Sequence, residues 1–335
     1  MQRTGVLFMQ SQEFFGADSQ IHASVMRHLP RDRFEVHCAV PADPDGSGVA
    51  SVEALRSVPD LHIRPTDFGP SLEDVDRADA RRRLVRRGIP MSWSLLGLAT
   101  YVRRNDIRIV HCTEKPRDAI LGSLVARLGG AECVIHVHVK AAPWLRDGVQ
   151  RAMRRSAALI GVSDFVAESC RGRWGEGDRT QAVRHGLELD VWVAPERPVG
   201  EVRASLGIEP EAPVILSASR LFRHKGQHEL LEALPSIRDS FPDVRLLIVG
   251  ADDPRSAPGE GSYSDLLHTM CDDLGLNEHV IFTGWRSDVR ELMAASDLYA
   301  MPSFEEPFGM VFIESMYLRR PVVALDNGGT REVVD

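Results

Sequence analysis

Short apolar runs alternate with amphipathic stretches twice along this chain, and no other feature restricts its fold so tightly. Residues 4–9, 34–40, 107–112, 133–139, 157–162 and 180–183 read as strands, with helical stretches at 19–29, 92–104, 118–128 and 164–170. Residues 188–200, which include Pro195 and Pro198, have the composition of an interdomain connection. The pattern then restarts. Strands are readable at 213–217, 244–250, 280–284, 297–301 and 321–325, with helices at 226–240, 263–274, 288–295 and 309–318 between them. Leu230, Leu231, Leu234 and Ile237 give the first of these helices an apolar face. Such alternation predicts an α/β protein of two Rossmann-like, doubly wound domains with mostly parallel sheets. The expected division is 1–187, a linker at 188–200, and 201–335. Ligands of such sheets bind beyond the carboxyl ends of the strands.

Composition narrows the classes. With 335 residues, 43% hydrophobic and 26% charged, the chain is ordinary for a globular protein of about two domains. A formal net charge of -8 argues against bulk nucleic-acid binding. There is no apolar run of the ~18 residues that a membrane span needs, and the first residues have no signal-peptide layout. Cys38, Cys112, Cys133, Cys170 and Cys271 are scattered without metal-type spacing, and the three in apolar strands read as buried thiols. These features fit a reducing cytoplasm.

Glu306 and Glu314 bracket seven residues that begin Pro307-Phe308-Gly309. Pro307 suits a first helical position, where its missing N–H is harmless. The amides of residues 308–311 then lie at a helix start that attracts anions, with Gly309 permitting close approach. The alternative is a capped surface helix with two solvated glutamates. Arg220 and Lys225, beyond the first strand of the second half, could neutralise a diphosphate together with those amides. Taken one at a time, they read as surface cations. His136 and His138 alternate in their strand and fall on one face; His138, at the strand end, is a ligand candidate or a core histidine. Asp43-Pro44-Asp45 and Asp74-Val75-Asp76 are weak candidates for a metal–diphosphate site. The stretch from Arg77 to Arg87 carries six arginines, read either as a solvated helix face and its trailing loop or as a patch for an anionic membrane. No Gly-x-Gly-x-x-Gly follows the first strand of either half, so nicotinamide and flavin readings lack their main support.

Jointly, Ser219-Arg220-Leu221 with Lys225-Gly226, Glu306-Pro307-Phe308-Gly309 with Glu314, and Pro321-Val322-Val323-Ala324 with Gly328-Gly329 and Glu332 resemble the retaining glycosyltransferases of family 4, also called glycosyl transferases group 1. The loop at Gly16, the strand leading to His138 and the segment 184–190 match more loosely. The resemblance implies the GT-B architecture: two Rossmann-like domains facing a cleft, the first on the acceptor side and the second binding the donor. The second would be incomplete where the chain stops at Asp335. It implies transfer of a sugar from a nucleotide-diphospho-sugar to an acceptor hydroxyl with retention, with no cofactor and no metal. Arg220 and Lys225, with the amides of Gly309, Met310 and Val311, would hold the diphosphate; Glu314 the ribose; Trp285 and Arg286 the base. Glu306 and His138 would meet the transferred sugar as the catalytic pair, and Gly16 would contact donor or acceptor. The acceptor would be a glycan, a glycolipid or a small molecule, with no nucleic acid as partner. The enzyme would be cytoplasmic, serving polysaccharide or glycolipid synthesis, with the Arg77 to Arg87 region meeting the inner face of the membrane. Ala17 stands where the family repeats glycine, His185 where it has asparagine, and Arg319 where it often has glycine. Rival readings on the same fold are a nucleotide-sugar 2-epimerase, a sugar phosphorylase and a non-catalytic nucleotide-sugar-binding remnant.

Overall fold

A computed structural model of the chain describes residues 3–12, 16–42, 50–69, 77–142, 145–174, 179–189, 195–252 and 262–335. Both Asp-x-Asp candidates and Phe14 and Phe15 lie outside the described residues, as do the side chains of residues 77–87. The chain divides into two compact units, Met1–His185 and Gly186–Asp335.

In the first unit the elements run β1 (Thr4–Met9), α1 (Ala17–His28), β2 (Phe34–Pro41), α2 (Ala50–Leu55), β3 (Leu61–Thr66), α3 (Arg77–Arg104) and β4 (Ile107–Thr113). They continue with α4 (Pro116–Gly129), β5 (Glu132–Val137), α5 (Asp147–Arg155), β6 (Ala158–Gly161), α6 (Asp164–Trp174) and β7 (Thr180–Ala182). The second unit holds α7 (Val199–Ser205), β8 (Val214–Ala218), a 3-10 turn (Arg223–Lys225), α8 (Gln227–Ser240), β9 (Arg245–Val249), α9 (Tyr263–Asp273) and β10 (Val280–Gly284). It closes with α10 (Val289–Ala295), β11 (Leu298–Met301), α11 (Met310–Tyr317), β12 (Val322–Ala324) and a 3-10 turn (Gly328–Glu332).

The first sheet has seven strands in the order β3-β2-β1-β4-β5-β6-β7, and the second has five in the order β10-β9-β8-β11-β12. Every pairing is parallel. Strand order reverses beside β1 in one sheet and beside β8 in the other, which places the crevice of each sheet at the β1/β4 and β8/β11 exits. Parallel strands buried on both faces must be apolar without alternation. Accordingly Ile215, Leu246 and Ile248 face one core with Leu231 and Leu267, while Leu216, Leu247 and Val249 face the other with Tyr299 and Phe312.

Several local expectations are corrected. Pro307 is not the first residue of its helix: Gly309, at φ 90, is the N-cap and α11 begins at Met310. A left-handed residue cannot lie within a right-handed helix, so the turn is set at the glycine. Ser287 has a side chain suited to an N-cap, yet Asp288 occupies that position in α10. β5 ends at Val137, one residue before His138. Residues 199–200, expected in the linker, open α7. The helix expected at 92–104 is the end of α3, which begins at Arg77 and runs through Pro90. At the start of α6, Ser163 Oγ accepts the amide of Val166 at 3.1 Å, the hydrogen bond of a serine N-cap.

Candidate functional site

In the second unit the chain leaving β8 is pinned to its neighbours. The amides of Ser219 and Leu221 donate to Val249 and Ala251 carbonyls at 3.0 and 2.8 Å. Gly226 ends the following turn at φ 80, and a Cβ there would stand 2.3 Å from the carbonyl oxygen of Pro302. Only glycine allows the β8 and β11 exits to approach this closely. Phe304 N donates to His224 O at 2.8 Å, joining the two exits again. Beyond β11, Glu305 N donates to Asn327 Oδ1 at 3.0 Å and Gly329 N to Glu306 O at 2.8 Å. The segment carrying Glu306 is thus tied on one side to the β8 exit and on the other to the β12 exit.

That framework brings Lys225 and Glu306 together. Lys225 Nζ donates to Glu306 Oε2 at 2.7 Å, with side chains only 14% and 10% exposed. A charge-assisted bond this short, shielded from water, is among the stronger polar contacts a fold can hold. Gly309, Met310 and Val311 form the start of the eight-residue α11, where first-turn amides have no helical carbonyl to meet. Glu314 follows one turn in. Burial pushes its carboxyl up to about 7, against an opposing pull from Arg290. Beneath it, Tyr299 is buried and donates from its hydroxyl to Ala218 O at 2.8 Å. Arg220 stands exposed on the segment between β8 and the turn. Trp285 and Arg286 leave β10, two strands from β8. The Arg286 guanidinium grips Asp288 with two bonds of 2.7 and 2.6 Å, and Trp285 is 75% exposed.

In the first unit the β1 and β4 exits are tied by Asp118, buried at the start of α4. Its carboxylate accepts from Ser11 N at 3.0 Å and from Thr113 Oγ1 at 2.8 Å. Burial raises its pKa, which these hydrogen bonds oppose. Arg117 donates to Ser11 and to Gly69 O, and Lys115 meets Asp18 at 2.8 Å. Gly16 is the N-cap of α1. His138 donates its backbone amide to Glu114 Oε2 at 3.2 Å, and its Nδ1 lies 3.0 Å from the same oxygen. Burial lowers the pKa of His138, but the charge and hydrogen bond of Glu114 outweigh it, and the net shift is upward. His136 and His138 lie on one side, ring centroids 4.5 Å apart, although His138 is past the strand.

Sequence reasoning missed Glu114, Asp118, His22 and His111. Glu114 and Asp118 follow β4 at the strand-order reversal, and that position was the available signal. His22 and His111 carried none, each sitting singly in an apolar pattern.

Compared with known proteins, residues 23–191 match the family description Glycosyltransferase Family 4, and residues 199–335 match Glycosyl transferases group 1. A GDP-mannose-dependent alpha-(1-6)-phosphatidylinositol monomannoside mannosyltransferase of Mycolicibacterium smegmatis is 30% identical over 282 residues, 78% of this chain and 71% of that protein. A putative glycosyltransferase, EpsD, of Bacillus subtilis is 28% identical over 68% of this chain and 60% of its own length. Among solved structures, the Anabaena protein HepE in complex with UDP and glucose superposes with a TM-score of 0.74 at 24% identity, covering 99% of this chain and 83% of that one. Sucrose-phosphate synthase from Thermosynechococcus elongatus superposes at 0.72 with 19% identity, over 98% and 83% of the two chains. At these identities the structures speak to fold alone, and the fold is GT-B: two Rossmann-like units with parallel sheets.

Proposed function

Since the chain belongs to glycosyltransferase family 4 and is a glycosyltransferase, we propose that it transfers a hexose from a nucleotide-diphospho-sugar to an acceptor hydroxyl with retention, without a metal ion. The observation carrying this reading is the shielded Lys225–Glu306 pair at the β8/β11 exits, beside the start of α11. A lysine ammonium has three donors, so Lys225 can reach a phosphate oxygen while loosening, without releasing, its bond to Glu306. With Arg220 and the amides of Gly309, Met310 and Val311, it stabilises the charge that develops on the departing diphosphate. Glu314 binds the ribose hydroxyls; at a pKa of about 7 it can accept or donate a hydrogen bond. Exposed Trp285, with Arg286 held by Asp288, receives the base. Glu306 meets the transferred sugar, and the family resemblance gives His138 and Gly16 of the first unit roles toward sugar, donor or acceptor. The acceptor hydroxyl attacks on the face the diphosphate leaves, and the leaving phosphate oxygen takes its proton.

For the acceptor we propose a lipid-borne glycan, at the inner face of a membrane. The mycobacterial relative's name specifies a phosphatidylinositol monomannoside, and α3 supports membrane contact. Its arginine-rich first half leads into Ile89, Trp93 and Leu96, exposed at one-turn spacing. A basic stretch with an exposed apolar stripe that includes one tryptophan suits an anionic interface. Among the described residues no helix is long and apolar enough to cross a membrane.

The test is a donor screen by thermal shift, then turnover with lipid acceptors and NMR assignment of the product anomer. A donor at ~100 times its Kd adds about 2.7 kcal/mol of stability. Lys225→Ala and Glu306→Ala should each abolish most turnover. Epimerised sugar without acceptor, an inverted product, or unaffected variants would overturn the reading.

A further inference from the structure

Five histidines gather in the first unit, far more imidazole than a sugar contact needs. His22 comes from α1, His111 from β4, His136 from β5, His138 from just beyond it, and His185 from beyond β7. Their rings touch in a chain: His22 to His136 at 5.7 Å, His22 to His138 at 5.8 Å, His22 to His111 at 4.9 Å and His138 to His185 at 5.7 Å between centroids. His22 and His136 are buried, at 0% and 2% exposure, and the side chain of His138 is 7% exposed.

The ring nitrogens of three of them are unusual. Neither nitrogen of His22 nor of His136 has a hydrogen-bond partner, and Nε2 of His138 has none either. A neutral imidazole carries one N–H and one lone pair, and buried polar atoms are nearly always satisfied. Here orphaned nitrogens on three different segments converge: one ligand atom from each of His22, His136 and His138 lies within 4.8 Å of the others. His138 is moreover fixed by Glu114 at Nδ1, which leaves Nε2 as its free ligand atom. A carboxylate behind one imidazole nitrogen is the usual second support of a metal-bound histidine.

We propose that His22, His136 and His138 form a binding site for a divalent transition metal of the zinc class, with Glu114 orienting His138. Three imidazoles suit zinc, cobalt, nickel or copper, and a tetrahedral ion would keep a fourth position open. The hard, oxygen-seeking ions magnesium and calcium are disfavoured by an all-nitrogen set. The site draws on the first unit alone and shares one residue, His138, with the transfer reading: with Nδ1 on Glu114, a metal on Nε2 would hold that ring off the sugar, so the ion is no part of the transfer, and its binding is tested whether or not the transfer reading holds.

The full chain, stripped with a chelator, is titrated with Co2+ and followed by visible absorption. The expected result is one Co2+ per chain with the intense bands of a four-coordinate ion. His22→Gln and His136→Gln should remove the bands, and Glu114→Gln should weaken affinity about 10–100-fold. His28→Gln, also on α1, should leave the titration unchanged. Bands that never saturate at one equivalent, or that survive both histidine substitutions, would overturn the site. Should either variant fail to fold, zinc-edge X-ray absorption on the unsubstituted protein decides: three imidazole nitrogens at about 2.0–2.1 Å are required, and a fit with one or two imidazoles refutes the proposal.

Discussion

Glu314→Gln is expected to stabilise the second unit at alkaline pH and to do nothing in acid. Burial lifts the carboxyl from its usual 4.5 to about 7, with Arg290 pulling the other way. The folded chain therefore holds the Glu314 proton more tightly than the unfolded chain does. Below the unfolded value both states are protonated and folding carries no penalty. As pH rises through the folded value the penalty grows to its full size. At ~1.4 kcal/mol per pH unit, the separation sets a ceiling of roughly 3 kcal/mol. Residual contact with solvent brings the expected penalty to about 2 kcal/mol. Glutamine keeps the shape and cannot ionise. Urea titrations of wild type and variant, at steps from about pH 4.5 to about pH 8.5, should show a stability gap opening from near zero to about 2 kcal/mol. A gap of constant size across that range would refute the reasoning, because only the ionised carboxylate is disfavoured by burial. Donor affinity provides a second readout: loss of an acceptor for ribose should weaken binding by about 1 kcal/mol or more.

Lys225→Ala strands a shielded carboxylate and should cost about 3–5 kcal/mol in urea unfolding; adding Glu306→Ala should restore much of it, and strictly additive costs would show that the two are not one unit. Gly226→Ala puts a Cβ against the Pro302 carbonyl at a left-handed φ, so it should destabilise by more than about 1 kcal/mol and weaken donor binding; a neutral variant would contradict the close approach. Trp93→Ser should reduce co-sedimentation with anionic vesicles while leaving thermal unfolding within ~0.5 kcal/mol of wild type, since the ring is exposed; undiminished vesicle binding would sink the membrane reading. Asp118→Ala removes the acceptor of Ser11 N and Thr113 Oγ1 and should cost about 2–3 kcal/mol by the same urea assay.

The doubly wound sheets were legible because buried parallel strands leave uninterrupted apolar runs, and the places of Lys225 and Glu306 beyond strand ends were legible because each follows such a run, whereas their contact with each other was not. What escaped has physical reasons. The helix expected at 92–104 leaves Pro90 outside, yet α3 continues through it, because a proline removes one bond while the flanking turns retain theirs. Pro307 reads as a helix start, but the left-handed Gly309 overrides it, a backbone angle that residue type permits without announcing. Leu61–Thr66 carries Pro65 and three charged or polar side chains, so it does not read as a strand; at the edge of its sheet it pairs, among the described strands, only with β2. The histidine cluster draws one ring from each of several segments, and contact across such separations has no periodicity to betray it. Glu114 is a lone carboxylate before Lys115-Pro116, and its partner His138 lies 24 residues on.

The Lys225–Glu306 contact also bears on how fast such a protein can let go. A cation already seated on a carboxylate does not wait idle for an anion; the incoming phosphate must loosen an existing 2.7 Å bond. Whatever grip the diphosphate gains is reduced by that loosening. When the spent nucleotide departs, the pair closes again, and closing it favours departure. Tightness toward the product is thus capped from within, by a neighbour that competes for the same ammonium. Replacing Glu306 with a neutral side chain would remove the competitor, and the nucleotide diphosphate should then dissociate more slowly.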